Sequence, residues 1–151
     1  MPEKILETRQ ATAGDLDYAW SVYSENIRPY IEPKLKDTWV DAKQKERFLT
    51  IWRPEESYMI TVDEKPIGWG AAKISDKEVT LIHHYIEPAA QRKGYSTRLL
   101  SELLKEWTGK GRTVHAEVLR DPQAQALYQR LGFIKIKEAE LTDLMQFTAK
   151  S

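Results

Sequence analysis

Hydrophobic residues recur along the chain with both helical and strand spacing, and the pattern predicts a mixed α/β fold. A first strand over residues 4–9 precedes a helix whose apolar positions recur at helical spacing: Leu16, Ala19, Trp20, Tyr23 and Ile27. A capping-box pattern over residues 12–15 starts this helix. Pro29 predicts its end near Arg28, because the residue before a proline avoids the helical conformation. A looser pattern predicts a second helix over residues 41–52, with one side formed by Phe48, Leu49 and Trp52.

Strand-like segments fill the middle of the chain. Short polar connections join residues 58–62, 67–74 and 79–86, which favours antiparallel hairpins. The clearest helix covers residues 96–107, with one apolar stripe formed by Leu99, Leu100, Leu103, Leu104 and Trp107. The strand at residues 113–119 should run parallel to the strand at residues 79–86, because a helix connects the two.

The C-terminal part opens with a well-marked helix. Asp121 suits the N-cap position and Pro122 the first turn, whereas Gly132 suits a left-handed helix end. Residues 133–139 and 144–148 then predict a last pair of strands. The whole order predicts a single domain over residues 1–151, with one mixed, mostly antiparallel twisted sheet and helices on both faces.

Composition narrows the possible functions. The 23 basic and 23 acidic residues give a formal net charge of zero, which argues against a nucleic-acid partner bound through a strongly basic field. The absence of cysteine excludes disulfides, thiolate metal sites and a cysteine nucleophile. The N-terminus lacks the apolar stretch of a signal peptide, and no apolar run is long enough to span a bilayer. We therefore expect a cytoplasmic protein with no membrane partner, and no residue spacing indicates a metal site.

The segment Gln91-Arg92-Lys93-Gly94-Tyr95-Ser96 carries the clearest chemical signal. It follows a predicted strand and opens a helix, where main-chain N–H groups and the helix dipole favour a phosphate or pyrophosphate. On these residues alone, the alternative is an ordinary strand-to-helix turn with Gly94 in a left-handed conformation. Arg92 and Lys93 either contact phosphates or remain solvated.

Two motifs resemble signatures of the GNAT-type N-acetyltransferases. Residues 91–96 are similar to the acyl-CoA pyrophosphate loop of that family, Gln/Arg-x-x-Gly-x-Gly/Ala. Residues 121–133 are similar to its second signature, Asn-x-x-Ala-x-x-Leu-Tyr-x-x-Leu-Gly-Phe. Ser96 stands where the family usually has Gly or Ala, but serine is small and can cap the helix. Asp121 replaces the usual Asn and adds a negative charge near the anionic cofactor.

The resemblance implies the GNAT fold with a splayed parallel strand pair, and it implies an N-acetyltransferase. Such an enzyme moves an acetyl group from acetyl-CoA to a primary amine by direct attack in a ternary complex, without a metal. The implied cofactor-binding residues are Tyr85 and Ile86 in the gap between the splayed strands, then Gln91, Arg92, Lys93, Gly94, Tyr95, Ser96 and Thr97, and finally Asp121 and Tyr128. Two alternatives stay open, a non-catalytic acyl-CoA sensor of the same fold and another acyl donor such as succinyl-CoA.

Tyr128 is the candidate proton donor, since the resemblance places it beside the thioester sulfur. A phenol with an ordinary pKa near ~10 is protonated at neutral pH and can protonate the departing thiolate. The base is less clear, because the position of the usual family Glu falls near Thr80, which cannot accept the proton. Glu78, His83 and His84 are the candidates, and for each histidine the alternative is a hydrogen-bonded sheet residue.

The acceptor is expected to be a small-molecule or peptide amine. Tyr30, Glu32 and Trp39 are candidates for its pocket, because aromatic faces and a carboxylate suit a cationic amine. Trp20 and Tyr23 lie on the apolar stripe of the first helix, so we expect them in the core. The residues leave open whether the protein is a monomer or a homodimer.

Overall fold

The computed structural model describes residues 4–148, and the elements in that range follow the predicted order. They are β1 (Leu6–Gln10), α1 (Leu16–Ile31), α2 (Asp41–Ile51), β2 (Ser57–Val62), β3 (Lys65–Ile74), β4 (Glu78–Ile86), α3 (Tyr95–Gly109), β5 (Thr113–Leu119), α4 (Pro122–Leu131), β6 (Phe133–Glu138) and β7 (Thr142–Phe147). None of the helices within residues 4–148 has the length and apolar character needed to cross a membrane.

The strands form one sheet with the order β1-β2-β3-β4-β5-β7-β6. Strands β4 and β5 are parallel. The pairs β1–β2, β2–β3, β5–β7 and β6–β7 are antiparallel. The predicted mixed, mostly antiparallel sheet with one parallel pair is therefore confirmed.

Residues 4–148 divide into two compact units. The first unit contains residues 4–71 and 84–93, and the second contains residues 72–83 and 94–148. The core of the first unit combines residues of α1, α2, β2 and β3, including Val22, Phe48, Met59 and Trp69. Trp20 and Tyr23 pack against this core, as predicted, and the Tyr23 and Phe48 ring centroids lie 5.0 Å apart.

In the second unit, α3 lies against β5, and both elements have buried apolar side chains. The predicted α3 stripe is buried at Leu99, Leu100, Leu104 and Trp107. Val114, Ala116 and Val118 alternate with more exposed residues along β5, as expected for a strand with one buried face. Gly132 ends α4 in the left-handed conformation with φ 110°, which confirms its predicted role.

Two details of the predicted helices are wrong. Helix α1 continues through Pro29 to Ile31, and the Glu32 N–H donates to the Arg28 carbonyl beyond the proline. Pro29 has no N–H group, so the helix lacks one main-chain hydrogen bond at this position. The bond from Glu32 to Arg28 shows that the helical pattern continues after the proline. Leu49 is 47% exposed, whereas Phe48 is buried. Phe48 and Trp52 are four residues apart and share a helix face, and Leu49 is rotated about 100° away from Phe48.

Gly68 lies where β3 passes close to the main chain of β4. A Cβ atom at this position would overlap the carbonyl oxygen of Tyr85. We predict that Gly68→Ala lowers the free energy of unfolding by about 3 kcal/mol, because a main-chain atom must move to accommodate the methyl group. Urea denaturation measures this change.

Gly109→Ala is the matched control for this prediction. A Cβ atom at Gly109 would meet nothing within 4 Å, so this substitution should leave stability unchanged or raise it slightly. Equal stabilities of the two variants would contradict the close approach at Gly68.

Candidate active site

The turn between β4 and α3 adopts an unusual main-chain conformation. Arg92 and Gly94 are both left-handed, with φ values of 64° and 79°. Within residues 4–148, the N–H groups of Arg92, Lys93 and Gly94 donate to no main-chain acceptor. Left-handed residues in such a turn direct successive N–H groups outward, and this arrangement is suited to binding an anion.

Gly94 is the N-cap residue of α3 and has no side chain with which to cap the helix. Ser96 is therefore the second residue of the helix and not its N-cap, because α3 begins at Tyr95. Tyr95, Ser96 and Thr97 form the first turn, where main-chain N–H groups lack acceptors within the helix. A Cβ atom at Gly94 would meet nothing within 4 Å, so the backbone angle is what favours glycine here.

The side chain of Gln91 is bound within the first unit. Its Nε2 donates to Asn26 Oδ1 at 2.9 Å and to the Ile86 carbonyl at 2.8 Å. The Nδ2 of Asn26 donates to the same Ile86 carbonyl at 3.0 Å and to the Val22 carbonyl at 2.9 Å. The first residue of the loop is therefore joined to α1 and to the last residue of β4.

The parallel pairing of β4 and β5 covers only part of each strand. The register contains four pairs, from Glu78 with Thr113 to Leu81 with Ala116. Strand β4 continues to Ile86 and β5 to Leu119. This early end of the register agrees with the predicted splayed pair.

Tyr128 lies on α4 with only 7% of its surface exposed. Its ring meets the Phe133 ring edge to face, at a centroid distance of 5.3 Å. Burial raises the pKa of Tyr128, so its phenol is protonated at neutral pH. The predicted cofactor residue Asp121 caps the same helix, and its carboxylate accepts a hydrogen bond from the Ala124 N–H at 3.1 Å.

The candidate bases have different surroundings. The Tyr58 hydroxyl and His84 Nδ1 are 3.0 Å apart. Tyr58 pairs with Gly70 on β3, where a Cβ atom would overlap the tyrosine ring. Burial lowers the pKa of His83 and of His84 to about 4, so both imidazoles are neutral at pH 7.

Glu78 is exposed at the first position of β4, and its main-chain carbonyl accepts a hydrogen bond from the Ser75 N–H at 2.8 Å. Glu78 therefore lies at the start of the strand, five residues before His83. Which of Glu78, His83 and His84 acts as the base stays a prediction.

The three predicted acceptor residues contact cations of the same chain. Arg28 forms an ion pair with Glu32 at 3.0 Å, and its guanidinium lies 5.2 Å from the centroid of the Trp39 ring. The Trp39 indole N–H donates to the carboxylate of Asp41.

Lys34 Nζ lies 3.7 Å from the centroid of the Tyr30 ring. Cations of the same chain thus already contact both aromatic rings of the predicted pocket, and an acceptor ammonium would have to replace them there. Whether Tyr30, Glu32 and Trp39 contact an acceptor stays a prediction.

Two residues of this region were missed from the sequence, Asn26 and Tyr58. Asn26 interrupts the apolar stripe of α1, since it follows Val22 by four residues and Tyr23 by three. A polar residue in that position signals a buried hydrogen bond. Tyr58 had no comparable signal, because its contact with His84 depends on the missing side chain of Gly70.

Comparison with known proteins identifies the family. The model of the acetyltransferase (GNAT) family matches residues 19–133. No curated protein matches the chain at a significant level. In residues 4–148, no group of three or more histidine, aspartate and glutamate side chains could hold a metal ion.

Solved structures share the fold at low sequence identity. The PaiA N-acetyltransferase of Thermoplasma acidophilum, solved with coenzyme A, has a TM-score of 0.65 and 19% identity, over 96% of this chain and 99% of its own. The ribosomal-protein-S18-alanine N-acetyltransferase of Escherichia coli has a TM-score of 0.61 and 20% identity, over 94% of this chain and 90% of its own. The N-acetylglutamate synthase of Neisseria gonorrhoeae, solved with coenzyme A and L-arginine, has a TM-score of 0.62 and 21% identity, over 96% of this chain and 33% of its own.

Arg92 is a non-glycine residue in the left-handed region, and this has a measurable consequence. We predict that Arg92→Gly is about 1 kcal/mol more stable than Arg92→Ala, because only the alanine variant retains the unfavourable backbone angle. Both variants lack the guanidinium, so the alanine variant is the control for its loss. Urea denaturation should rank the two, and equal stabilities would contradict the left-handed angle.

The lowered histidine pKa values predict a pH dependence of stability. An unfolded histidine has a pKa near ~6.5, so between that pH and about pH 4 the unfolded chain binds more protons than the folded chain. The stabilisation is complete above the unfolded pKa and is lost as the pH falls towards the folded value. The free energy of unfolding should therefore fall between pH 7 and pH 4.5, and fall less in His84→Gln.

Thr80→Val is the control, because it changes a residue of the same strand that does not titrate. Its free energy of unfolding should fall with pH as much as that of the wild type. Parallel curves for the wild type and His84→Gln would contradict the lowered pKa of His84.

Proposed function

Because the chain belongs to the GNAT family of acetyltransferases, we propose that it moves an acetyl group from acetyl-CoA to the nitrogen of a primary amine. The observation that carries this proposal is the turn after β4, with its two left-handed residues and its N–H groups at Arg92, Lys93 and Gly94. A pyrophosphate has the charge and the acceptor oxygens that such a turn and the following helix N-terminus favour.

The two parts of the proposed cofactor bind to different segments of the chain. We infer that its pyrophosphate binds at residues 91–97 and that its pantetheine arm runs along β4 beyond Leu81, where the register with β5 ends. The contacts expected at Tyr85 and Ile86 are made through the main chain. The Ile86 carbonyl already accepts hydrogen bonds from Asn26 and Gln91, so other main-chain groups are expected to contact the arm.

The proposed reaction is a direct attack in a ternary complex. The neutral amine nitrogen attacks the thioester carbon, a C–N bond forms, and the C–S bond breaks. The departing thiolate takes a proton from Tyr128, whose phenol is protonated at neutral pH because burial raises its pKa. The attacking nitrogen gives up its second proton to solvent, and the Tyr128 phenolate regains a proton from solvent.

The acceptor must lose a proton before it attacks, and we propose His84 as the group that takes it. The hydrogen bond between the Tyr58 hydroxyl and Nδ1 supports this role, because it holds the imidazole in one orientation. A neutral imidazole is the form that can accept a proton. His83 and Glu78 are the alternatives, and the comparison of single variants decides among the three.

The acceptor is proposed to be a small-molecule or peptide amine. The related structures include an enzyme named for an alanine of ribosomal protein S18 and one named for glutamate, so the fold serves both kinds of acceptor. We propose that the acceptor contacts Tyr30, Glu32 and Trp39. In this proposal the acceptor ammonium takes the place that Arg28 and Lys34 hold against these side chains in the free protein. We also propose that the chain is a single N-acetyltransferase domain, as its sequence predicts.

Tyr128→Phe tests the proposed function. We expect coenzyme A to bind with unchanged affinity in calorimetry, because the ring and its packing remain. Thiol release from acetyl-CoA with a panel of primary amines should fall by about 100-fold in kcat, because the proton donor is lost.

Tyr18→Phe is the matched control. It removes a hydroxyl that donates to Glu87 at 3.0 Å, and kcat should stay within about twofold of the wild type. A wild-type protein that binds coenzyme A but releases no thiol with any amine would instead be a sensor of acyl-CoA. A fully active Tyr128→Phe variant would exclude the proton-donor role.

A further inference from the structure

Two side-chain amides and one carbonyl form a closed group at the end of β4. Asn26 and Gln91 both donate to the Ile86 carbonyl, at 3.0 Å and 2.8 Å, and Gln91 Nε2 also donates to Asn26 Oδ1 at 2.9 Å. Both lone pairs of the Ile86 oxygen are thereby used. We call these three residues the amide clamp.

The partners of the clamp determine how both amide groups are oriented. The Val22 and Ile86 carbonyls only accept, so the Asn26 amide must turn its NH₂ group towards them. Its oxygen then faces Gln91, which must present its own NH₂ group. With this orientation both N–H bonds of each amide have an acceptor, and turning either amide over would set oxygen against oxygen.

The loop that follows the clamp has little else to hold it. Within residues 4–148, Arg92 and Lys93 form no salt bridge and no side-chain hydrogen bond, and their N–H groups donate to no main-chain acceptor. The next main-chain bond of the segment, from the Arg98 N–H to the Gly94 carbonyl at 3.1 Å, belongs to the start of α3. Arg92 and Lys93 therefore extend from Gln91 on one side to the helix on the other.

From this arrangement we propose that Asn26 is a positioning residue for the cofactor loop. By holding Gln91 against the end of β4, it sets the left-handed turn before the cofactor arrives, so that less ordering is needed when the pyrophosphate binds. Asn26 acts through Gln91 and does not contact the cofactor. The inference rests on the proposed function, because it takes the loop as the pyrophosphate site.

The test compares binding of two parts of the cofactor. In Asn26→Ala, the affinity for coenzyme A should fall by about tenfold in calorimetry, as expected for lost hydrogen bonds. The affinity for 3′-phosphoadenosine 5′-diphosphate, the part of coenzyme A that contains the pyrophosphate, should fall by the same factor. The KM for acetyl-CoA should rise by a similar factor with kcat nearly unchanged. Transfer from S-acetylpantetheine, which has no pyrophosphate, should proceed at the wild-type kcat/KM.

A second variant protects the test against loss of folding. Gln91→Ala breaks the clamp from the loop side, and it should weaken coenzyme A binding by a similar factor. The double variant should be no weaker than the weaker single variant, because both substitutions remove one group of bonds. Ser24→Ala is the control on α1, since its hydroxyl donates only to the Ser21 carbonyl, at 3.1 Å, and its coenzyme A affinity should match the wild type.

Three results would overturn the inference. If the wild type binds coenzyme A and a folded Asn26→Ala variant binds it equally well, the positioning role is rejected. The proposed function is then unaffected. Equal losses with acetyl-CoA and S-acetylpantetheine would show a general structural role for Asn26. A wild type that does not bind coenzyme A at all would reject both the inference and the proposed function.

Discussion

The turn between β4 and α3 carries a conformational constraint on which the proposed chemistry depends. Two left-handed residues, Arg92 and Gly94, turn the chain so that consecutive N–H groups lack main-chain acceptors within the described residues. Exposed main-chain donors are unfavourable unless water or a ligand accepts from them. In the free protein, water can accept from these donors, and the turn is joined to the amide clamp before it and to helix α3 after it.

Burial determines the charge of three candidate catalytic groups. Burial raises the pKa of Tyr128 and lowers the pKa of His83 and His84, so all three are uncharged at neutral pH. A neutral phenol can give a proton during a reaction, and a neutral imidazole can take one. Two charged candidate residues have partners within the chain, because the Asp121 carboxylate caps α4 and Glu32 forms an ion pair with Arg28.

Small residues decide where larger ones can go. The missing side chain of Gly70 leaves space for the Tyr58 ring, and that ring brings its hydroxyl to His84. The missing side chain of Gly68 lets β3 approach the Tyr85 carbonyl. A methyl group at Gly70 would displace the Tyr58 ring, and one at Gly68 would displace the Tyr85 carbonyl. The geometry of β4 therefore depends on two residues of β3 that have no side chain.

Local pattern in the sequence determined the order and type of the elements, the left-handed end of α4 at Gly132 and the two family motifs, because each depends on residues close together along the chain. It could not place the end of α1, since the cost of Pro29 depends on where in the helix it falls. Nor could it show that Asn26 reaches Gln91, or that Tyr58 reaches His84. Those contacts join residues 65 and 26 positions apart, and only the tertiary structure, which sets the distance between separate helices and strands, decided them.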